Sequence, residues 1–141
     1  MFWPMITALS RNIIAIIVSI LWANQGTAEE YFCPVSKKLS SNGSYSTAQL
    51  QKWMFSVKIK HMGDAAIISR CSFASSAGAV TCDNYKADAI YEDPYTGHKK
   101  FYYFSGQFDV QIFDNLNFIE SNGRGDIAFG KCDVVEQWAY F

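Results

Sequence analysis

Four cysteines constrain the fold of this 141-residue chain more than any other feature, because all of them follow an apolar leader. They are Cys33, Cys71, Cys82 and Cys132. Secreted chains with an even number of cysteines usually pair them as disulfides. Three pairings are open. We favour Cys33–Cys132, which would tie the N-terminal segment to the last strand, together with Cys71–Cys82, which would close a local loop.

The leader has the pattern of a secretory signal peptide. Arg11 is the only charge in the first 28 residues, and residues 13–23 are almost entirely apolar. We expect cleavage after Ala28, so residues 1–28 are the signal peptide and residues 29–141 the mature domain. The apolar run is shorter than the roughly 20 residues that span a bilayer, which makes an uncleaved anchor the less favoured alternative. We therefore expect secretion, with no membrane attachment after cleavage.

The mature domain is small and almost neutral. Removing 28 residues from 141 leaves 113, which fits a single domain. Removing Arg11 leaves 11 basic and 13 acidic side chains, a net charge near −2. Since Lys and Arg supply most of the affinity of proteins for nucleic acid, this balance argues against strong charge-driven binding of RNA or DNA. A local basic patch remains compatible with it.

One segment has the pattern of a helix. Ser46 and Gln49 form a capping box, and the apolar positions that follow are spaced at i, i+3, i+4 and i+7. These positions are Leu50, Trp53, Met54 and Val57. Gly63 is a natural stop. The spacing predicts a helix that packs its apolar stripe against a sheet.

The rest of the domain reads as extended chain and short strands. Residues 29–45 are predicted to be an extended N-terminal segment, and Asn42 in it begins a glycosylation sequon. The strand segments are AAIISRCSF, AVTCDNY, KKFYYFS, FDVQIFD, NFIES and DIAFGKC. The tail after Cys132, DVVEQWAYF, is either a further edge strand or a partner-binding patch. We predict an α+β fold in which one helix covers an antiparallel sheet.

The stretch FIESNGRGDIAFGKC, Phe118–Cys132, together with the preceding strands, resembles the end of the fungal guanyl-specific ribonucleases. A signal peptide followed at once by Tyr31-Phe32-Cys33 is more closely similar to the powdery-mildew secreted effectors known as RNase-like proteins expressed in haustoria. The resemblance implies a microbial ribonuclease-like fold with a bridge from Cys33 to Cys132. It also implies a monomeric effector delivered into the host plant cell, where it binds a host protein or RNA and can be recognised by an immune receptor.

The resemblance also indicates where catalytic groups would stand. The ribonuclease mechanism needs a carboxylate base, an arginine for the phosphate and a histidine acid. The corresponding positions hold Phe104, Val110 and Ser121, none of which can perform these roles. We therefore expect a pseudo-ribonuclease. The alternative is an active secreted ribonuclease with rearranged groups, built on His98 with Glu92 or Asp109.

A possible surface for RNA or a protein partner precedes the strand FDVQIFD, where basic and aromatic side chains are interleaved. Its residues are His98, Lys99, Lys100, Tyr102 and Tyr103. Because side chains of a strand alternate between two faces, about half of them should lie in the core. Neither of the two histidines has the spacing of a zinc site, so we expect no metal and no cofactor.

Overall fold

The computed structural model describes residues 28–135, from Ala28 to Val135. The predicted signal peptide therefore lies outside the described residues, apart from Ala28. The last six residues of the C-terminal tail lie outside them as well.

Eleven strands and one short helix make up the described part of the chain. In chain order they are β1 Glu29–Ser40, β2 Gly43–Ser44, α1 Thr47–Trp53, β3 Ser56–Met62, β4 Ala65–Ala74, β5 Ala79–Lys86, β6 Ala89–Glu92, β7 Lys99–Tyr103, β8 Phe108–Ile112, β9 Asn117–Ser121, β10 Ile127–Lys131 and β11 Asp133–Val135. The strand segments predicted from the sequence are confirmed, including the hairpin β4–β5 and the meander β7–β10.

All strand pairs are antiparallel, and they form one curled sheet with the shape of a half-barrel. The order is β5-β4-β3-β1-β10-β9-β8-β7-β6, while β2 and β11 also pair with β1. The two end strands, β5 and β6, are consecutive in the chain. Between them, the amide of Ala87 donates to the carbonyl of Ala66 at 2.9 Å, and the amide of Asp88 donates to the carbonyl of Tyr102 at 2.8 Å. The chain thus passes from pairing with β4 to pairing with β7 at this corner.

The predicted α+β fold is wrong, because the structure is mostly β and its helix covers no core. The capping box of Ser46 and Gln49 is present, but α1 has only seven residues, none of them buried. Met54 ends the helix in the left-handed conformation. The remaining stripe position, Val57, lies on β3 and is fully buried there, and Gly63 makes the β3–β4 turn.

The extended N-terminal segment proves to be β1, the centre of the sheet. Its first half pairs with β3 on one side and with β11 on the other. Its second half pairs with β10 after a bulge between Val35 and Lys37. The predicted ribonuclease-like arrangement, a sheet covered by a helix, is therefore wrong. The observed sheet curls around its own apolar face.

The two favoured disulfides are both present. Cys33 is bonded to Cys132 across 99 positions of sequence, and both cysteines are buried in the core. Cys71 and Cys82 face each other directly in the β4–β5 hairpin and are bonded there. The core between the two halves of the sheet is apolar and aromatic; its largest fully buried side chains are Phe101, Phe118, Ile59, Ile68, Val57 and Val110.

Candidate functional site

The outward side chains of β6 and β7 form an exposed aromatic surface. The register places Tyr91 opposite Lys100, and Tyr102 lies two positions further along the same face of β7. The Lys100 ammonium lies 5.0 Å from the centre of the Tyr102 ring and 3.5 Å from Asp109 Oδ1. Phe104 follows β7, with its ring 6.1 Å from that of Tyr102. We call Tyr91, Lys100, Tyr102 and Phe104 the outer aromatic patch.

Solvent reaches two members of this patch to an unusual degree for large aromatic side chains. Tyr91 is 57% exposed and Phe104 is 63% exposed. Aromatic side chains usually bury most of their surface in a core or an interface. Tyr91 stands on β6 and Phe104 directly follows the neighbouring strand β7, so the paired strands position both rings at the surface.

The rest of the predicted RNA or partner surface does not face outward with this patch. The Lys99 ammonium donates hydrogen bonds to Glu29 Oε2 and, at 3.1 Å, to the Tyr31 hydroxyl. The Tyr103 ring packs 4.9 Å from that of Tyr85. Because side chains alternate between the two faces of β7, Lys100 and Tyr102 lie on the outer face. Lys99 and Tyr103 lie in the interior.

His98 lies apart from both groups, immediately before β7. Its ring meets that of Phe113 edge to face at 4.9 Å, and its Nε2 atom lies 3.6 Å from Asp114 Oδ1. The carboxylates that would accompany it in a rearranged ribonuclease are held by lysines instead. Glu92 lies 3.9 Å from the Lys99 ammonium, and Asp109 is paired with Lys100 as described above.

At one end of the half-barrel, Lys99, Glu29 and Tyr31 form a partly buried polar cluster. Hydrogen bonds from Lys99 and from the Tyr31 hydroxyl, the latter at 2.7 Å, lower the pKa of the Glu29 carboxyl. Burial, reinforced by the hydrogen bond to Glu29, raises the pKa of Tyr31. Burial alone would lower the pKa of Lys99, but its bonds to Glu29 and Tyr31 outweigh this effect and raise it. Lys99 is therefore charged and already paired.

A polar cavity of about 210 Å³ opens between the two halves of the sheet. Arg70 Nε donates a hydrogen bond to Glu120 Oε1 at 2.5 Å, and the Arg70 guanidinium lies 4.8 Å from the centre of the Phe108 ring. Glu120 is only 7% exposed. Lys38 and Asp83 also line the cavity. These charged groups could orient a polar ligand, but the buried carboxylate is already neutralised by Arg70.

Sequence reasoning missed the Arg70–Glu120 pair, because the two residues are 50 positions apart. A signal was nevertheless present in NFIES. On a strand, Glu120 shares a face with Phe118, so a carboxylate at that position requires a partner inside the core. The partner itself could not be identified before the strand order was known.

The three positions that the ribonuclease resemblance assigns to catalysis do not converge. Val110 is fully buried and lies opposite Glu120 on the inner face. Ser121 lies opposite Asp109, on the outer face. Phe104 belongs to the exposed patch beyond the end of β7. No single surface holds all three, so the residue correspondence does not describe one site in this fold.

One further prediction concerns a glycosylation site on the surface. Asn42 is exposed in the turn between β1 and β2, where its backbone N–H donates to Ser40 Oγ at 3.3 Å. Its glycosylation stays a prediction.

Among residues 28–135, no group of three or more His, Cys, Asp or Glu side chains is arranged to hold a metal ion. Over the same residues, no helix is long and apolar enough to cross a membrane.

Comparisons with protein-family models, with curated proteins and with solved structures gave no match to this chain. The motif Tyr31-Phe32-Cys33 and the segment Phe118–Cys132 are thus the basis of the resemblance to ribonuclease-like effectors.

Proposed function

We propose that the protein is a secreted binding module without ribonuclease activity, which acts as an effector in a host plant. Its partner is a host protein, which the outer aromatic patch contacts, and an intracellular immune receptor can detect it. The signal-peptide pattern and the start at Tyr31-Phe32-Cys33 support secretion and delivery. Two disulfides suit a small domain that leaves the cell.

The exposure of Tyr91 and Phe104 is the observation that carries the proposal. Protein interfaces are enriched in aromatic side chains, and a few such residues usually supply most of the binding free energy. The inner face offers less to a partner, because its main charges are already paired. Arg70 holds Glu120, and Lys99 holds Glu29.

RNA binding is a second candidate function, and the neighbouring side chains of Lys100, Tyr102 and Phe104 favour it. Aromatic rings can stack on bases, and a lysine beside them can contact phosphate. Lys100, however, is paired with Asp109, and the mature domain carries a net charge near −2. We therefore expect RNA binding to be weak and to fall further as salt is added.

Capture from plant extract with matched variants tests the proposal. The oxidised mature domain should retain a specific host protein, and Tyr91→Ala combined with Phe104→Ala should abolish its retention. Phe32→Ala is the control, since Phe32 is a partly exposed aromatic on β1, in the other half of the sheet. Equal thermal stability of the variants would establish that they are folded.

Two outcomes would contradict the proposal. One is capture that the patch variant and the Phe32 control reduce equally. The other is cleavage of total RNA that His98→Ala abolishes, which would favour the rearranged ribonuclease. A salt-sensitive RNA affinity lost with Lys100→Gln, without any captured protein, would favour the second candidate function.

A further inference from the structure

A groove of about 680 Å³ lies on the outer surface of the sheet, where β9, β10 and the β1 bulge meet. Ile119 and Phe129 face each other in the register of β9 and β10 and form its floor. Phe113, from the turn after β8, forms one wall. This volume lies within the range of about 300–1,000 Å³ that is typical of small-molecule sites, which are also mainly apolar and aromatic.

Local packing holds the groove in shape. The Phe113 ring is supported by the edge-to-face contact with His98. Below the floor, β1 and β10 approach closely at Gly130. A Cβ atom there would collide with the Pro34 carbonyl oxygen and lie 2.6 Å from the Phe118 ring. The groove is therefore a consequence of fixed backbone and packed rings.

Two lysines reach the groove from the β1–β10 side, opposite the Phe113 wall. Lys37 stands opposite Phe129 in the register, and Lys131 follows two positions later on β10. Both are exposed, and neither makes an ion pair or a side-chain hydrogen bond with another residue of the range 28–135. The neighbouring Lys38, by contrast, lies 3.7 Å from Asp126 Oδ2. These two ammonium groups, which are unpaired within the described part of the chain, give this side of the groove a positive charge.

The opposite side of the groove has the opposite charge. Asp114 follows Phe113 in the β8–β9 turn and also lines the groove. A negatively charged group would be repelled at that wall and attracted at the lysine side. The charge distribution therefore favours a ligand with an anionic group at one end only.

We propose that the groove binds a small planar aromatic anion. Its ring lies on Ile119 and Phe129 and contacts the Phe113 ring, where aromatic pairs gain stabilisation beyond area burial. Its carboxylate or similar group accepts charge-assisted hydrogen bonds from Lys37 and Lys131. This site is separate from the outer aromatic patch and does not depend on the proposed function.

The test uses two probes of nearly equal shape, 2-naphthoate and its neutral analogue 2-naphthamide, titrated into the oxidised mature domain by calorimetry at low salt. Two exposed ion pairs should make the acid about two- to tenfold tighter than the amide. Lys37→Gln with Lys131→Gln should remove this preference and leave the affinity for the amide unchanged. Lys86→Gln is the matched control, since Lys86 is an exposed lysine of β5 that has no ion-pair partner among the described residues.

Three results would overturn the inference. The first is that neither probe binds, and the second is that acid and amide bind the native protein equally. The third is that Lys86→Gln reduces the preference as much as the double variant does. Both lysines are exposed, so their replacement should leave folding intact, and unchanged thermal stability would verify this.

Discussion

Replacing Arg70 by Leu should destabilise the protein far more than replacing both Arg70 and Glu120. In the native protein, Arg70 Nε lies 2.5 Å from Glu120 Oε1, and Glu120 is only 7% exposed. In the single variant Arg70→Leu, the Glu120 carboxylate stays inside the half-barrel and loses this partner. Removing one partner of a buried ion pair costs about 3–5 kcal/mol. The Arg70 side chain is itself 31% exposed, so water can partly replace it, and we expect about 2–3 kcal/mol.

The reverse variant should be milder. In Glu120→Leu, the unpaired guanidinium can turn towards solvent, so the expected loss is about 1 kcal/mol. In the double variant, two apolar side chains occupy the site and no charge stays buried. Such replacements are often close to neutral, and we expect its stability to lie within about 1 kcal/mol of the native protein.

Urea denaturation at neutral pH, monitored by intrinsic fluorescence, measures these differences if the m-value is unchanged. The control is a second double-mutant cycle on Lys100 and Asp109, a more exposed pair at 3.5 Å on the outer face. Its coupling free energy should stay below about 1 kcal/mol. If the stability loss of the double variant equalled the sum of the losses in Arg70→Leu and Glu120→Leu, the two charges would not be coupled. That result would refute the reasoning.

Three further predictions concern the frame of the fold. Replacing Cys33 and Cys132 together by Ser should lower the free energy of unfolding by about 4 kcal/mol, since the bond closes a loop of nearly the whole domain; a loss below about 1 kcal/mol in urea would contradict this. Gly130→Ala should cost about 2 kcal/mol or more, because the added methyl collides with backbone, and an unchanged melting temperature would refute it. The hydrogen bond from Lys99 lowers the pKa of Glu29 in the folded state. Ionised Glu29 therefore stabilises the folded protein fully above the ordinary pKa of 4.5, and this stabilisation is lost as pH falls from 4.5 towards the lowered pKa. Between about pH 5 and pH 3, the free energy of unfolding should therefore fall more steeply for the native protein than for the variant Lys99→Met. Equal slopes for the two proteins would contradict a stabilising Lys99–Glu29 pair.

Local signals in the sequence predicted several elements correctly. Ser46 and Gln49 form the expected capping box, and the β4–β5 hairpin forms with Cys71 opposite Cys82. Each of these features depends on residues close in sequence. The short aromatic strands β7–β10 also follow from local composition and from the turn residues between them.

The helix prediction went wrong where two periodicities overlap. Met54 and Val57 fit the helical stripe, but VKIKHM, Val57–Met62, also alternates strictly between buried and exposed side chains. The helix begins at the capping box but ends at Trp53, and the chain continues as β3. In β3, Val57 and Ile59 are fully buried in the core. A period of two over six residues was the stronger signal, and its apolar face identifies a strand.

Long-range pairing could not be predicted from the sequence. The segment of β1 contains Pro34 and several Ser and Lys residues, which suggests an irregular chain, yet it forms the centre of the sheet. Pro34 is tolerated because β1 changes partners next to it, at the bulge before Lys37. The interior position of Lys99 depends likewise on Glu29, 70 positions away, and the strand order alone brings them together.

Capture from plant extract with two double variants tests most directly the claim that the outer aromatic patch, and not the inner face, binds the partner. One variant combines Tyr91→Ala and Phe104→Ala, and the other combines Arg70→Leu and Glu120→Leu. We predict that the first loses the specifically captured host protein and that the second retains it at the native level. Loss of capture with the inner variant, while the patch variant still binds, would contradict the account.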